Sequence, residues 1–153
     1  MTLSKPQPTE VIEFELFGKP TPKARPRFNT KTGRAYTPSK TRHAEASILA
    51  SYILAVGNRP PHDGAIELEL VATFEPPSSW SKKKRESALR GELPHLTKPD
   101  FDNLAKIVDG LNGHAWLDDK QITRAVISKG YGVNASTRIR ITIYPLERSN
   151  TNE

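Results

Sequence analysis

The chain contains no cysteine among its 153 residues. That excludes disulfides, zinc–thiolate centres and thiol nucleophiles, and it fits a reducing compartment. No apolar run approaches the roughly 20 residues a helix needs to cross a bilayer. The opening residues, Met1-Thr2-Leu3-Ser4-Lys5-Pro6, lack the apolar core of a signal peptide. The expectation is a soluble, cytoplasmic protein with no membrane partner. Acidic residues are in deficit, 17 against 23 Lys and Arg, giving a formal charge of +6. A pI near 9.7 favours a polyanionic partner and says nothing about fold. There is no internal repeat and no linker long enough to divide the chain, and its length suits one domain with a real core.

Proline and glycine punctuate what remains. Residues 1–9 are polar and proline-containing and read as a flexible arm. Val11, Ile12, Phe14, Leu16 and Phe17, interleaved with Glu13 and Glu15, read as a strand that Gly18 closes. Residues 18–42 hold eight basic side chains and no acidic one: Lys19, Lys23, Arg25, Arg27, Lys31, Arg34, Lys40 and Arg42. Pro20, Pro22 and Pro26 keep that stretch extended or looped. After Pro38-Ser39, apolar residues at Ala44, Ile48, Ser51/Tyr52 and Ala55 recur at helical spacing up to a Gly57 cap. Ala65 to Phe74 alternates as a half-buried strand that Pro76-Pro77 stops. Ser79 to Arg90 reads as a short basic helix, Gln121 to Tyr131 and Arg138 to Tyr144 as final strands, and residues 147–153 as a disordered tail. The expected fold is a single α+β domain over residues 10–146, with a mixed or largely antiparallel sheet of about four strands against two or three helices.

Against this basic background stand Asp100, Asp102, Asp118 and Asp119, with Lys106 among them. A carboxylate cluster repels phosphate unless a divalent cation lies between, and oxygen-only ligands suit Mg²⁺, which binds a few carboxylates plus substrate phosphates. Pro99-Asp100 marks a helix start at which the Asp100 side chain would accept free backbone N–H groups. Leu104, Ile107, Val108 and Leu111 fall on one stripe at about 100° per residue, with Asp102, Lys106 and Asp109 opposite. The expected helix runs to Asn112-Gly113. A chain return at Trp116-Leu117-Asp118-Asp119 would bring one of the later carboxylates beside the helix start. The competing structural account is an N-cap, an exposed i,i+4 pair worth a few tenths of a kcal/mol, and an acidic turn.

The run from His95 to Gly113, holding Lys98-Pro99-Asp100-Phe101-Asp102-Asn103-Leu104-Ala105-Lys106 and Asp109-Gly110-Leu111-Asn112-Gly113, continues into Trp116-Leu117-Asp118-Asp119-Lys120-Gln121-Ile122. This long pattern resembles the RusA family of Holliday-junction resolvases, many of them phage- or prophage-borne. The resemblance extends to the N-terminal strand, to Lys23-Ala24-Arg25-Pro26-Arg27 and to Tyr36-Thr37-Pro38, so it covers most of the chain. It implies metal-binding roles for Asp100, Asp102 and Asp119, a catalytic role for Lys106, and Asp118 as a further candidate ligand beside Asp119. It also implies Mg²⁺, with Mn²⁺ as a possible substitute, and a homodimer. His95 matches some members of the family only.

Phosphodiester hydrolysis needs an activated water, neutralised phosphate charge and help for the leaving 3′ oxygen, all within reach of one or two Mg²⁺ ions. Lys106 would donate to a phosphate oxygen or orient the water. Asn103 either orients a neighbouring ligand or is a solvated helix residue, and Asp109 is read as a supporting partner of Lys106. Lys19, Lys23, Arg25, Arg27 and Arg34 are candidate phosphate contacts, and Phe28 is either a wedge against an opened base pair or loop packing. Lys82, Lys83, Lys84 and Arg85 either bind a second DNA arm or form a solvated face. The expected partner is branched DNA, in particular a four-way junction, with no small-molecule cofactor. A flap or fork nuclease and a non-catalytic junction binder remain the alternatives.

Overall fold

The computed structural model describes residues 6–22, 27–36 and 38–146. Four strands form one mixed sheet: β1 (Glu10–Phe17), β4 (Ile66–Phe74), β5 (Ile122–Tyr131) and β6 (Ser136–Ile143), in the order β1-β6-β4-β5. β6 pairs antiparallel with both β1 and β4, whereas β5 pairs parallel with β4. Three helices accompany it: α1 (Ser39–Val56), α2 (Lys82–Leu89) and α3 (Phe101–Ala105). This is the α+β domain expected, with the sheet largely antiparallel.

Period-two alternation decides which face is covered. Ile66, Leu68, Leu70, Ala72 and Phe74 of β4 are buried, as are Ile139, Ile141 and Ile143 of β6, and Leu70 sits in register between Ile139 and Ile127. Against that face lie Ile48 and Tyr52 of α1 together with Leu104, Ile107, Val108 and Leu111. The other face is charged and laddered. Arg140 donates to Glu13 at 2.6 Å and lies 3.6 Å from Glu69, and Tyr144 donates to Glu67 at 3.1 Å.

Two expectations are corrected. Residues 18–42 are not wholly extended or looped, because β2 (Arg27–Asn29) and β3 (Arg34–Tyr36) pair as a hairpin. Asn29 makes its turn: its side-chain oxygen accepts from Lys31 N at 2.9 Å and Thr32 N at 3.3 Å, and Gly33 adopts φ +68°. Asparagine closing its own turn ahead of a left-handed glycine is hairpin chemistry.

The second correction concerns the helix after Asp100. It is α-helical only through Ala105 and winds on as a 3₁₀ segment, Lys106–Leu111. All four stripe residues are buried as expected. At three residues per turn, however, Leu104, Ile107 and Gly110 come into line. Gly110 is the reason that line reaches α1, since a Cβ there would lie 2.6 Å from Glu45 O and 2.8 Å from Ile48 Cγ2. The backbone of the 3₁₀ segment thus rests directly on α1.

Gly110→Ala should therefore destabilise the fold by about 1–3 kcal/mol, the usual cost of overpacking. Urea unfolding of both proteins measures it, and equal midpoints would mean that the segment can withdraw from α1 freely.

Candidate active site

Parallel strands cannot be joined by a tight turn, and the β4–β5 connection spans residues 75–121. Every acidic candidate lies on that crossover. Asp100 occupies the cap position before α3, and its backbone carbonyl accepts from Leu104 N at 3.2 Å. Contrary to expectation, its side chain makes no capping hydrogen bond, because the first turn is secured by the main chain alone. The carboxylate is left exposed. Asp102 is one step into the helix, and Lys106 Nζ lies 3.7 Å from its Oδ2, both side chains about half exposed. That spacing is a loose ion pair, easily exchanged for another anion.

Trp116 governs the later acidic pair. It is fully buried, and its Nε1 donates to Asp119 Oδ1 at 2.9 Å. Asp118 is engaged differently: its Oδ1 accepts from Lys120 N at 2.8 Å while its own N donates to Gln121 Oε1 at 2.9 Å. This is a reciprocal capping box on the short 3₁₀ turn Asp119–Gln121. Gln121 Nε2 then donates to His62 O at 2.8 Å and Gly64 O at 2.9 Å, tying the turn to the entrance of β4. Asp118 thus builds the turn, and Asp119 is held through one oxygen by the tryptophan.

Asp119 shares a cleft of about 230 Å³ with Lys106 and Asp109, floored by Leu68, Leu70, Val108 and Ile127. Asp109 is half-buried and, three residues after Lys106 in a 3₁₀ segment, lies on the same line as it. Asn103 is half-buried beside Asp102. The turn at Trp116–Asp119 thus returns along the cleft shared with Lys106 and Asp109. Among the described residues no three His, Cys, Asp or Glu side chains gather closely enough to hold a metal ion. The donors still suit a hard divalent cation in kind: Asp100, Asp102 and Asp119 all offer carboxylate oxygens free of capping duty.

The basic candidates lie elsewhere. Lys19 is exposed, and Arg27, Phe28 and Arg34 stand on the exposed β2–β3 hairpin, with Phe28 65% exposed. Lys23 and Arg25 lie outside the described residues, as do Ala24, Pro26 and Thr37. Lys82, Lys83, Lys84 and Arg85 crowd the first half of α2, whose first turn holds no acid. Four cations at the positive end of a helix dipole repel one another and it, so the arrangement suits an external anion. Lys84 also lies 4.0 Å above the Trp80 ring, whose edge meets Tyr131.

The sequence profile described as Endodeoxyribonuclease RusA matches residues 18–144. The chain belongs to the RusA endodeoxyribonuclease family. It is also 30% identical over 139 residues to YqaN of Bacillus subtilis (strain 168), an uncharacterized protein, an alignment covering 86% of this chain and 96% of that one. The family match takes in the whole crossover, from the end of β4 to the start of β5.

Sequence reasoning named the acids of this RusA-family chain but not the groups that hold them. In the sequence Trp116 is only part of a motif. Lys129 is one residue of a strand there, yet its Nζ donates to Thr97 O at 2.7 Å and Pro99 O at 3.0 Å. His95 is buried, stacked on Phe74 at 4.2 Å and tilted against Tyr131 at 4.9 Å. Its Nδ1 meets no hydrogen-bond partner among the described residues. Burial, and after it the positive Lys129, push the His95 pKa below the ordinary histidine value.

A histidine held neutral in the fold costs stability once the unfolded chain begins to take up its proton. Stability should be fully present above the unfolded value of about 6.5 and fall as the pH drops below it, toward the depressed folded pKa. His95→Phe keeps a ring on Phe74 and should flatten the loss of the urea midpoint between pH 7 and 5. A slope unchanged by the substitution would show that His95 does not titrate in this range.

Proposed function

We propose that this chain is a divalent-metal-dependent nuclease that resolves four-way DNA junctions by paired, symmetric phosphodiester hydrolysis, acting as a homodimer in recombination and repair. The observation that carries the reading is the placement of Lys106. Within a family match to endodeoxyribonucleases, it stands between an exposed Asp102 and a cleft holding Asp119. Asp100, Asp102 and Asp119 would hold the metal, with Asp118 confined to supporting their turn. A bound divalent ion supplies Lewis-acid neutralisation of charge at the scissile phosphate.

The chain's own residues do the rest. Lys106 exchanges its loose contact with Asp102 for a phosphate oxygen, and its compact ammonium offsets the charge that develops there. Asp109 aligns Lys106 from below, and Asn103 steadies the neighbouring Asp102 through hydrogen bonding. The basic groups on the hairpin and on α2 neutralise backbone phosphates of separate arms. Phe28, with its ring in solvent, wedges against the opened base pair at the crossover. Paired cuts in opposed strands need two such sites related by a two-fold axis, and the exposed Leu54 and Ile53 of α1 offer apolar surface for the second copy.

The test is cleavage of a labelled mobile four-way junction in Mg²⁺, in Mg²⁺ with excess EDTA, and by Asp102→Asn and Lys106→Met. Paired symmetric nicks are expected with wild-type protein and metal only. Lys106→Met should lose about 10²–10³-fold in rate, the scale for removing one donor to developing charge, and keep its junction affinity. Preferential cutting of flaps or forks would reassign the substrate. Tight binding without cleavage would leave a junction binder.

A further inference from the structure

Asp100 has an unusual position for a residue asked to hold an ion. It is the last residue before α3, its side chain makes no capping hydrogen bond, and it is exposed. Its carboxylate therefore leaves the chain from a backbone that residues 97–99 lead into, and these belong to no strand or helix. Among the described residues one side chain donates to the carbonyls of that backbone. Lys129, near the end of edge strand β5, donates to Thr97 O at 2.7 Å and Pro99 O at 3.0 Å, the second carbonyl being that of the residue immediately before Asp100. From the inner side the same loop is anchored by buried His95, which is stacked on Phe74 and tilted against Tyr131. The loop is therefore gripped at both ends by groups distant in sequence.

We infer that Lys129 is a positioning residue for Asp100. It acts by fixing two backbone carbonyls and touches no reacting atom. The inference rests on the nuclease reading above and deepens it by naming what orients a ligand of that site. Its sign separates it from a plain charge effect. A cation near a metal site opposes metal binding, so if Lys129 acted through charge alone, its removal would tighten the metal. If it acts through the carbonyl clamp, its removal loosens Asp100 and weakens the metal.

Mn²⁺ uptake followed by electron paramagnetic resonance tests this on the full chain without recourse to activity. Lys129→Met should bind Mn²⁺ about 10–100-fold more weakly, the usual effect of removing a group that orients a metal ligand. Half-maximal junction cleavage should then require Mg²⁺ raised in proportion, while junction affinity without metal stays as in the wild type. Lys129→Arg, which keeps charge and donors, should recover most of the loss. Because Lys129 acts through Asp100, Lys129→Met combined with Asp100→Asn should bind no more weakly than Asp100→Asn alone. If circular dichroism shows Lys129→Met unfolded, Lys129→Gln is read by the same criteria. Mn²⁺ affinity that is unchanged or tighter in the variant overturns the inference alone. So does junction affinity that falls while Mn²⁺ affinity holds, since Lys129 would then be a phosphate contact. A wild-type chain that takes up no Mn²⁺ and cuts no branched DNA overturns the nuclease reading and the inference with it.

Discussion

Everything about the acidic region follows from the parallel pairing of β4 and β5. An antiparallel neighbour could have been reached by a two-residue turn, whereas a parallel one requires the chain to leave the sheet, cross a face and return. Residues 75–121 make that crossing and carry α2, α3, the 3₁₀ segment and the Trp116–Asp119 turn. Both ends of the return strand are then put to use. The turn that begins it is tied to His62 and Gly64 through Gln121. Its far end sends Lys129 back to the loop before Asp100. The crossover is long because of the topology, and β5 is joined to it near both ends of the strand.

The electrostatic design is segregation. Along the sheet's open face, arginines and glutamates pair in ladders such as Glu13–Arg140–Glu69. Cations crowd the hairpin and the start of α2, whose first turn holds no acid. The acidic candidates are on the crossover, where Lys106 Nζ stands 3.7 Å from Asp102. Basic clusters and acidic candidates thus occupy different elements of one small domain of the RusA endodeoxyribonuclease family.

Much of this was legible in the residues. Alternation along β4 and the helical spacing of Ile48 and Tyr52 gave the correct elements, because each repeat matches the period of its own structure. The stripe Leu104, Ile107, Val108 and Leu111 gave the correct buried face even though its winding was misread, since i+3 and i+4 spacings fit an α-helix and a 3₁₀ segment about equally over two turns. Asn29 and Gly33 are the sequence signals of the hairpin, and the prolines upstream point instead to an extended or looped segment. What escaped entirely were Trp116 as the partner of Asp119 and Lys129 as the clamp on residues 97–99. The first joins residues close in sequence through a side chain whose direction no pattern reports, and the second spans 30 residues between Lys129 and Pro99.

By itself the sequence determined the kinds of groups present and their local order: a basic chain, an acidic run interrupted by one lysine, the main strands and helices, and the family to which they belong. These are properties of composition and of contacts between near neighbours. The tertiary structure decided the contacts within that set: Asp118 caps a turn, Asp119 accepts from Trp116, and Lys129 of the edge strand holds the carbonyls of Thr97 and Pro99. Direction in space depends on which distant backbone a side chain meets, and only the assembled sheet and its crossover bring those backbones together.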